Sequence, residues 1–241
     1  MQRAAVSTLA IAGLGTAYLT YESRRLARLY PVQGAKSYHS TDAVLAATDL
    51  PERIRRKFDP ALNHYVYATI PLPPAAKRIA ANPLDSFVRA FYETWTLRVE
   101  AWAVSKSAYY LDHVAKLRKT APERLDAVSA FGNSEVGPHA DSHPAAIAAG
   151  LFPVLQRAPS TVVYFLIPPL RPQQAIDGGS QELAAVPVGN SLELSYGCAV
   201  AKDPEAPFAR LAYEGHLFYM RFLIDRGARR LERWIAEDAR A

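Results

Sequence analysis

Along this chain a stretch without any charge comes first, then short alternating stretches, then long stripes of helical period. The uncharged stretch runs from Ala4 to Tyr21, AAVSTLAIAGLGTAYLTY. At about 1.5 Å per residue it makes about 27 Å of helix, close to the thickness of a bilayer hydrocarbon core. This spacing predicts an N-terminal transmembrane helix. Arg24, Arg25 and Arg28 follow it and Arg3 precedes it. That bias predicts a single pass with the larger C-terminal part on the cytosolic side. Scarce acids and the Arg and Ser residues leave a mitochondrial presequence as the alternative, and a buried globular helix as another. A cleaved signal peptide fits less well, because Tyr18 and Tyr21 stand where small residues belong.

Residues 31–57 read as a linker with short helices, punctuated by Pro31, Gly34 and Pro51. The folded domain is expected from about residue 58. His64 to Ile70 is rich in aromatic and β-branched residues and predicts a strand ended by Pro71, Pro73 and Pro74. Asn82-Pro83 then opens a helical block, with the cap and first-turn proline expected there. Leu84, Phe87, Val88, Phe91, Trp95, Val99 and Trp102 recur at three- and four-residue steps, with Arg89, Glu93 and Glu100 off the stripe. A further short helix is expected over 123–131, and 132–150 reads as loop.

The period then changes to two. Phe152–Arg157 and Thr161–Ile167 predict strands around the turn Ala158-Pro159-Ser160. Pro168, Pro169, Pro172, Gly178 and Gly179 suggest a long connection. Gln181–Val188 and Leu192–Val200 predict a hairpin around Gly189-Asn190. In the second of these, Leu192, Leu194, Tyr196, Cys198 and Val200 share one apolar face. The tail predicts one long helix over 205–238. Leu217, Met220, Ile224, Ala228, Leu231 and Trp234 form its buried stripe, with Glu214, Arg221, Asp225, Arg229 and Glu232 opposite.

The expected fold class is therefore α+β: an antiparallel sheet packed on a long C-terminal helix, behind an N-terminal transmembrane helix. Three regions follow: 1–30, membrane anchor and basic flank; 31–57, linker; 58–241, α+β domain. The element order over about 60–238 resembles the helix-grip architecture of the START and polyketide-cyclase-like superfamily, in which a curved antiparallel sheet wraps a long C-terminal helix. The elements that carry the resemblance are the five strands above and the helix ending Arg229-Arg230-Leu231-Glu232-Arg233-Trp234. It implies an apolar cavity between sheet and helix for a lipid, sterol or polyketide-like molecule. In such a cavity Tyr196, Tyr213, Tyr219 and Met220 would touch the ligand. The family shares no fixed catalytic motif, so no catalytic residue transfers.

Composition narrows the chemistry. With half of its 241 residues hydrophobic and a fifth charged, the chain has room for one sizeable core. The lone cysteine, Cys198, excludes an internal disulfide framework and a multi-cysteine zinc site. A net charge of +5 is mild, and no nucleic-acid motif accompanies it. Arg53, Arg55, Arg56 and Lys57 read as a solvated helix face before a headgroup contact. Gly13-Leu14-Gly15 is not a dinucleotide loop, since Tyr18 occupies the third glycine position. No Gly-x-Ser-x-Gly elbow or phosphate loop is present. His139, Asp141 and His143 lie within five residues, yet lack further ligands at metal-site spacing, so no metal and no cofactor is expected. Glu193 lies on the less apolar face of its strand.

His216 is the one candidate catalytic residue. It flanks the stripe of the last helix beside Tyr213 and Tyr219, and its ordinary pKa suits general acid–base work. A hydrogen-bonded structural histidine is the competing reading. Three functions follow as expectations: a membrane-anchored carrier or tailoring protein for a hydrophobic small molecule, a cyclase or dehydratase in the same cavity, and a membrane-tethered assembly protein.

Overall fold

The computed structural model describes residues 18–33, 64–104, 154–166, 176–202 and 210–241, with isolated positions at 108, 112, 115 and 119. A helix over residues 18–29 (α1) precedes β1, His64–Pro71. Three helices follow: α2, Lys77–Ala81; α3, Pro83–Tyr92; α4, Trp95–Val104. Then come β2, Val154–Ala158; β3, Thr161–Leu166; β4, Ile176–Val188; β5, Ser191–Lys202; and α5, Arg210–Asp238.

The strands form one antiparallel sheet in the order β1-β5-β4-β3-β2. Strands β2 to β5 are a meander, and β1 adds to its β5 edge. Gly189 takes φ +59° at the first position of the two-residue β4–β5 loop, while among the described residues no non-glycine residue has positive φ. That is the pattern of a type II′ turn, whose twist matches its strands.

Helices α3 and α5 cover one face of the sheet. Val66, Ala68 and Ile70 from β1, and Leu192, Leu194, Tyr196 and Cys198 from β5, are buried in the same core. From α5, Leu217, Met220, Ile224, Ala228, Leu231 and Trp234 meet them, joined by Leu223 and Ile235. The two helices cross closely at Gly227, where a Cβ would stand 3.3 Å from Phe91 Cα. Asp238, at the end of α5, accepts bonds from the backbone N–H groups of Arg78 (2.9 Å) and Ile79 (3.1 Å) and pairs with the Arg78 side chain. It thus satisfies amide donors of the first turn of α2.

On the opposite face, Tyr65, Gly197 and Glu182 are direct neighbours across β1, β5 and β4. A Cβ at Gly197 would lie 2.3 Å from the Tyr65 ring. Glycine there lets the ring lie across β5, and its hydroxyl donates to the buried Glu182 carboxylate at 2.7 Å.

The N-terminal segment is tied to α5. Leu26 is fully buried, and Tyr30 donates to Asp225 at 3.1 Å. Arg25 pairs with Glu22 and Asp225, while Arg229 also pairs with Asp225. Gln33 then makes a one-residue bridge to Tyr65 on the outer edge of β1.

Several expectations need correction. The stripe from Leu84 to Trp102 is not one helix. It breaks at Glu93-Thr94, where Arg230 donates to both the Glu93 carbonyl (2.8 Å) and its carboxylate (3.0 Å). Beyond the break Trp95, Val99 and Trp102 are exposed. Arg89 and Glu93 are buried and paired with each other. Pro83 opens α3 as expected, but the Asn82 side chain makes no capping bond. Asp225 lies 1% exposed, because three partners from α1, its following turn and α5 itself compensate its charge. Gly178 and Gly179 belong to β4, paired with Ala201 and Val200. Among the described residues no helix is long and apolar enough to cross a membrane. Most of the Ala4–Tyr21 run lies outside the described residues, as do 34–57, 123–150, His139, Asp141, His143 and residues 205–209.

Candidate functional site

The strand register places one row of chemistry-bearing residues across the helix-covered face. Tyr164 pairs with Gln181, Gln181 with Cys198, and Cys198 with His64. With strands about 4.8 Å apart the row spans about 14 Å. The next row along is apolar apart from one hydroxyl: Val162, Leu183, Tyr196 and Val66. One end of the helix-facing surface is therefore polar and the remainder is greasy.

The helices complete this end. From α3, Tyr92 sets its ring edge-on to Tyr164, with centroids 5.5 Å apart. Phe91 packs on Tyr196 at 4.9 Å. From α4, Glu100 accepts a 2.5 Å bond from the Tyr219 hydroxyl of α5. His216 lies one turn before Met220 on α5, near enough to His64 for the two to influence each other's charge.

Burial governs the electrostatics. It pushes the Cys198 thiol up to about 12, so the sulfur is protonated and not a nucleophile. Burial likewise raises the hydroxyls of Tyr92, Tyr164, Tyr196 and Tyr219 well above their usual range. It lowers His64, and it lowers His216 to about 4, with His64 adding to the latter shift. At neutral pH the imidazole of His216 is uncharged. Burial raises the Glu100 carboxyl, against the opposing bond from Tyr219.

Two atoms stand out. Gln181 is 6% exposed and its Oε1 has no hydrogen-bond partner among the described residues. His216 is partly exposed, and its buried Nε2 atom likewise has no hydrogen-bond partner among the described residues. A buried polar atom left unbonded costs about 1–3 kcal/mol, and natural proteins leave few of them. Unbonded polar atoms at the edge of an apolar interior are what a polar ligand group would satisfy. A neutral imidazole with an open nitrogen can also take up a proton.

Of the residues expected to form a site, Tyr196, Tyr219, Met220 and His216 border this region. The side chain of Tyr213 lies outside the described residues. Glu100, Gln181, His64, Tyr92 and Tyr164 were not singled out from sequence. Four of them depend on strand register or on the α3–α4 break, which local patterns do not encode. The signal available for Gln181 was a polar residue in phase with Leu183 and Ala185. Among the described residues no group of three or more His, Cys, Asp and Glu side chains is placed to hold a metal ion.

A separate surface groove of about 540 Å³ lies between the end of α1, the outer edge of β1 and α5. Tyr30, Tyr67, Thr69, Glu193, Arg229 and Glu232 are among its lining. Arg229 there is already engaged by Asp225.

Fold and site together define an α+β domain with a five-stranded antiparallel sheet, a long C-terminal helix, and a polar patch between them. Comparison with protein-family models and with curated proteins returns no match.

Proposed function

We propose that this chain is a membrane-anchored binding or tailoring protein for a hydrophobic small molecule (a lipid, sterol or polyketide-like compound) held between the sheet and α5. The observation that carries this reading is the pair of unbonded polar atoms, Gln181 Oε1 and His216 Nε2, set against an aromatic and aliphatic interior. Small-molecule sites combine these features: mostly apolar walls and a few polar groups that fix orientation. The anchor rests on the uncharged N-terminal run. It is supported by Tyr18 and Tyr21, exposed on α1 and followed by exposed Arg24 and Arg28, an order typical of membrane interfaces.

The binding test uses full-length protein and Nile red. The dye should bind, and lipid extracts should displace it. Gln181→Leu and His216→Leu should alter displacement while the melting temperature is retained. Absence of dye binding by folded protein would refute the reading. For the anchor, the full-length chain should resist carbonate extraction, whereas a variant lacking residues 4–17 should be released. That deletion leaves Arg25 and Tyr30, which pair with Asp225 of α5, in place. Equal extraction of both forms would remove the anchor.

A second reading, a cyclase or dehydratase, is favoured by one observation. His216 is neutral at physiological pH and has an open ring nitrogen, as a general base requires. Turnover of a bound ligand that is lost in His216→Leu, with binding retained, would select it.

A further inference from the structure

We infer that the solvent side of the α1–α5 junction is a docking surface for a bilayer containing anionic phospholipid. This rests on the proposed anchor and adds to it a lipid class and a second membrane contact, on α5. Leu26 turns α1 toward α5 and is fully buried. Tyr21, Arg24 and Arg28 recur at three- and four-residue steps on the other side of α1, and all three are exposed. Along α5, Phe218 and Phe222 stack with centroids 6.2 Å apart. The exposed Arg226 guanidinium lies 5.0 Å from the Phe222 ring centroid. Arg226 is also near enough to α1 for its charge to act on Glu22. The two helices thus bring aromatic rings and cations to one junction.

Charge at this junction is unbalanced. Glu22 is taken by Arg25 through two bonds of 2.7 Å, and Asp225 by Arg25 and Arg229. Among the described residues Arg24, Arg28 and Arg226 have no carboxylate partner. Glu214 and Glu232, exposed carboxylates on the α1 side of α5, stand one turn outside Phe218 and Arg229. Guanidinium groups pair with phosphate oxygens, and partly exposed aromatic rings settle at the boundary of headgroups and acyl chains. Chain continuity selects a bilayer over a soluble polyanion. Tyr21 is both the last residue of the uncharged run and a residue of α1, so the surface begins where that run ends. Arg25, Leu26 and Tyr30 hold α1 on the folded domain, so a membrane reached by the run is also brought to Phe222 and Arg226. Each cation held at an anionic leaflet strengthens the contact about fivefold.

The test incorporates full-length protein into vesicles of phosphatidylcholine, alone or with about a third phosphatidylserine. The vesicles are floated, and the bound protein is followed by hydrogen exchange with mass spectrometry. Both vesicles should carry the protein. Segments 18–30 and 218–230 should exchange severalfold more slowly with phosphatidylserine present, while segment 161–166 is unchanged. The difference should be lost in about 1 M NaCl, where the screening length is about 3 Å. It should also be lost in the triple variant Arg24→Gln, Arg28→Gln, Arg226→Gln. The salt arm uses unaltered protein, so it decides the matter even if the variant misfolds. Flotation with phosphatidylserine vesicles alone would uphold the surface and refute the anchor, and the triple variant would then bind about 100-fold more weakly. Flotation with both vesicles and equal exchange would overturn the surface and leave the anchor. Flotation with neither would overturn both. Protection of the same segments by heparin, as strong as that on phosphatidylserine, would overturn the bilayer as the occupant.

Discussion

Replacing Gly197 by alanine tests the tightest packing in the sheet. The added Cβ would lie 2.3, 2.6 and 2.7 Å from Cε1, Cζ and Cδ1 of Tyr65. All three are ring atoms, so no flexible side-chain end can yield. The ring must swing off β5, and its hydroxyl then leaves Glu182, which is 2% exposed and now bonded to it at 2.7 Å. Overpacking costs about 1–3 kcal/mol, and a lost hydrogen bond to a charged group about 1.5–3 kcal/mol. Alanine recovers about 0.5–1 kcal/mol relative to glycine within a strand. The expected destabilisation is therefore about 2–5 kcal/mol, summed from these ranges. Urea denaturation followed by circular dichroism measures it. The decisive comparison is a double-mutant cycle with Tyr65→Ala, which removes the ring before the methyl is added. In that background Gly197→Ala should cost less than about 1 kcal/mol. Equal cost in both backgrounds would refute the argument that the glycine exists to seat the tyrosine.

Leu231→Ala should destabilise the fold by about 2–5 kcal/mol, since Leu231 is fully buried against the sheet; a change under about 1 kcal/mol in urea denaturation would contradict its core position. The pH dependence of stability should carry the mark of His216. Burial holds its folded pKa down to about 4, against an ordinary value of 6.5. Above pH 6.5 it is neutral whether folded or unfolded and contributes no slope. Between 6.5 and 4 only the unfolded chain takes up the proton, so stability declines as pH falls. Glu100, with its pKa raised by burial, works in the other direction and adds stability as pH falls through its range. Denaturation curves at pH 7.5, 6.0 and 5.0 should show a flatter decline in His216→Leu than in the unaltered protein, and an unchanged slope would place His216 in solvent.

Period carried the architecture. The alternation of Leu192, Leu194, Tyr196 and Cys198 gave the buried face of β5, and the stripe from Leu217 to Trp234 gave that of α5, because each depends on local spacing alone. The break at Glu93-Thr94 was not legible. At that break Arg230, 137 residues away, donates to the Glu93 carbonyl, a partner no local pattern encodes. Asp225 was misplaced for a related reason. A carboxylate reads as solvent-facing until partners are known, and Arg25 and Tyr30 reach it from the other end of the chain. The row Tyr164, Gln181, Cys198 and His64 depends on register across four strands, which no single segment contains. His216, Tyr196, Tyr219 and Met220 were accessible because they sit on the two elements with the clearest periods.

Contacts to the last helix also set an order of events during synthesis. Tyr30 meets Asp225 across 195 residues, and Arg78 meets Asp238 across 160. Phe87 and Phe91 of α3 have the α5 residue Gly227 as a close neighbour. While the ribosome is still making the meander, these partners do not exist or remain in the exit tunnel. Long-range closure of this kind is slow and leaves apolar surface uncovered in the meantime. The nascent chain therefore waits on α5 before its core can seal, so premature termination before α5 should yield an aggregating product rather than a smaller folded one.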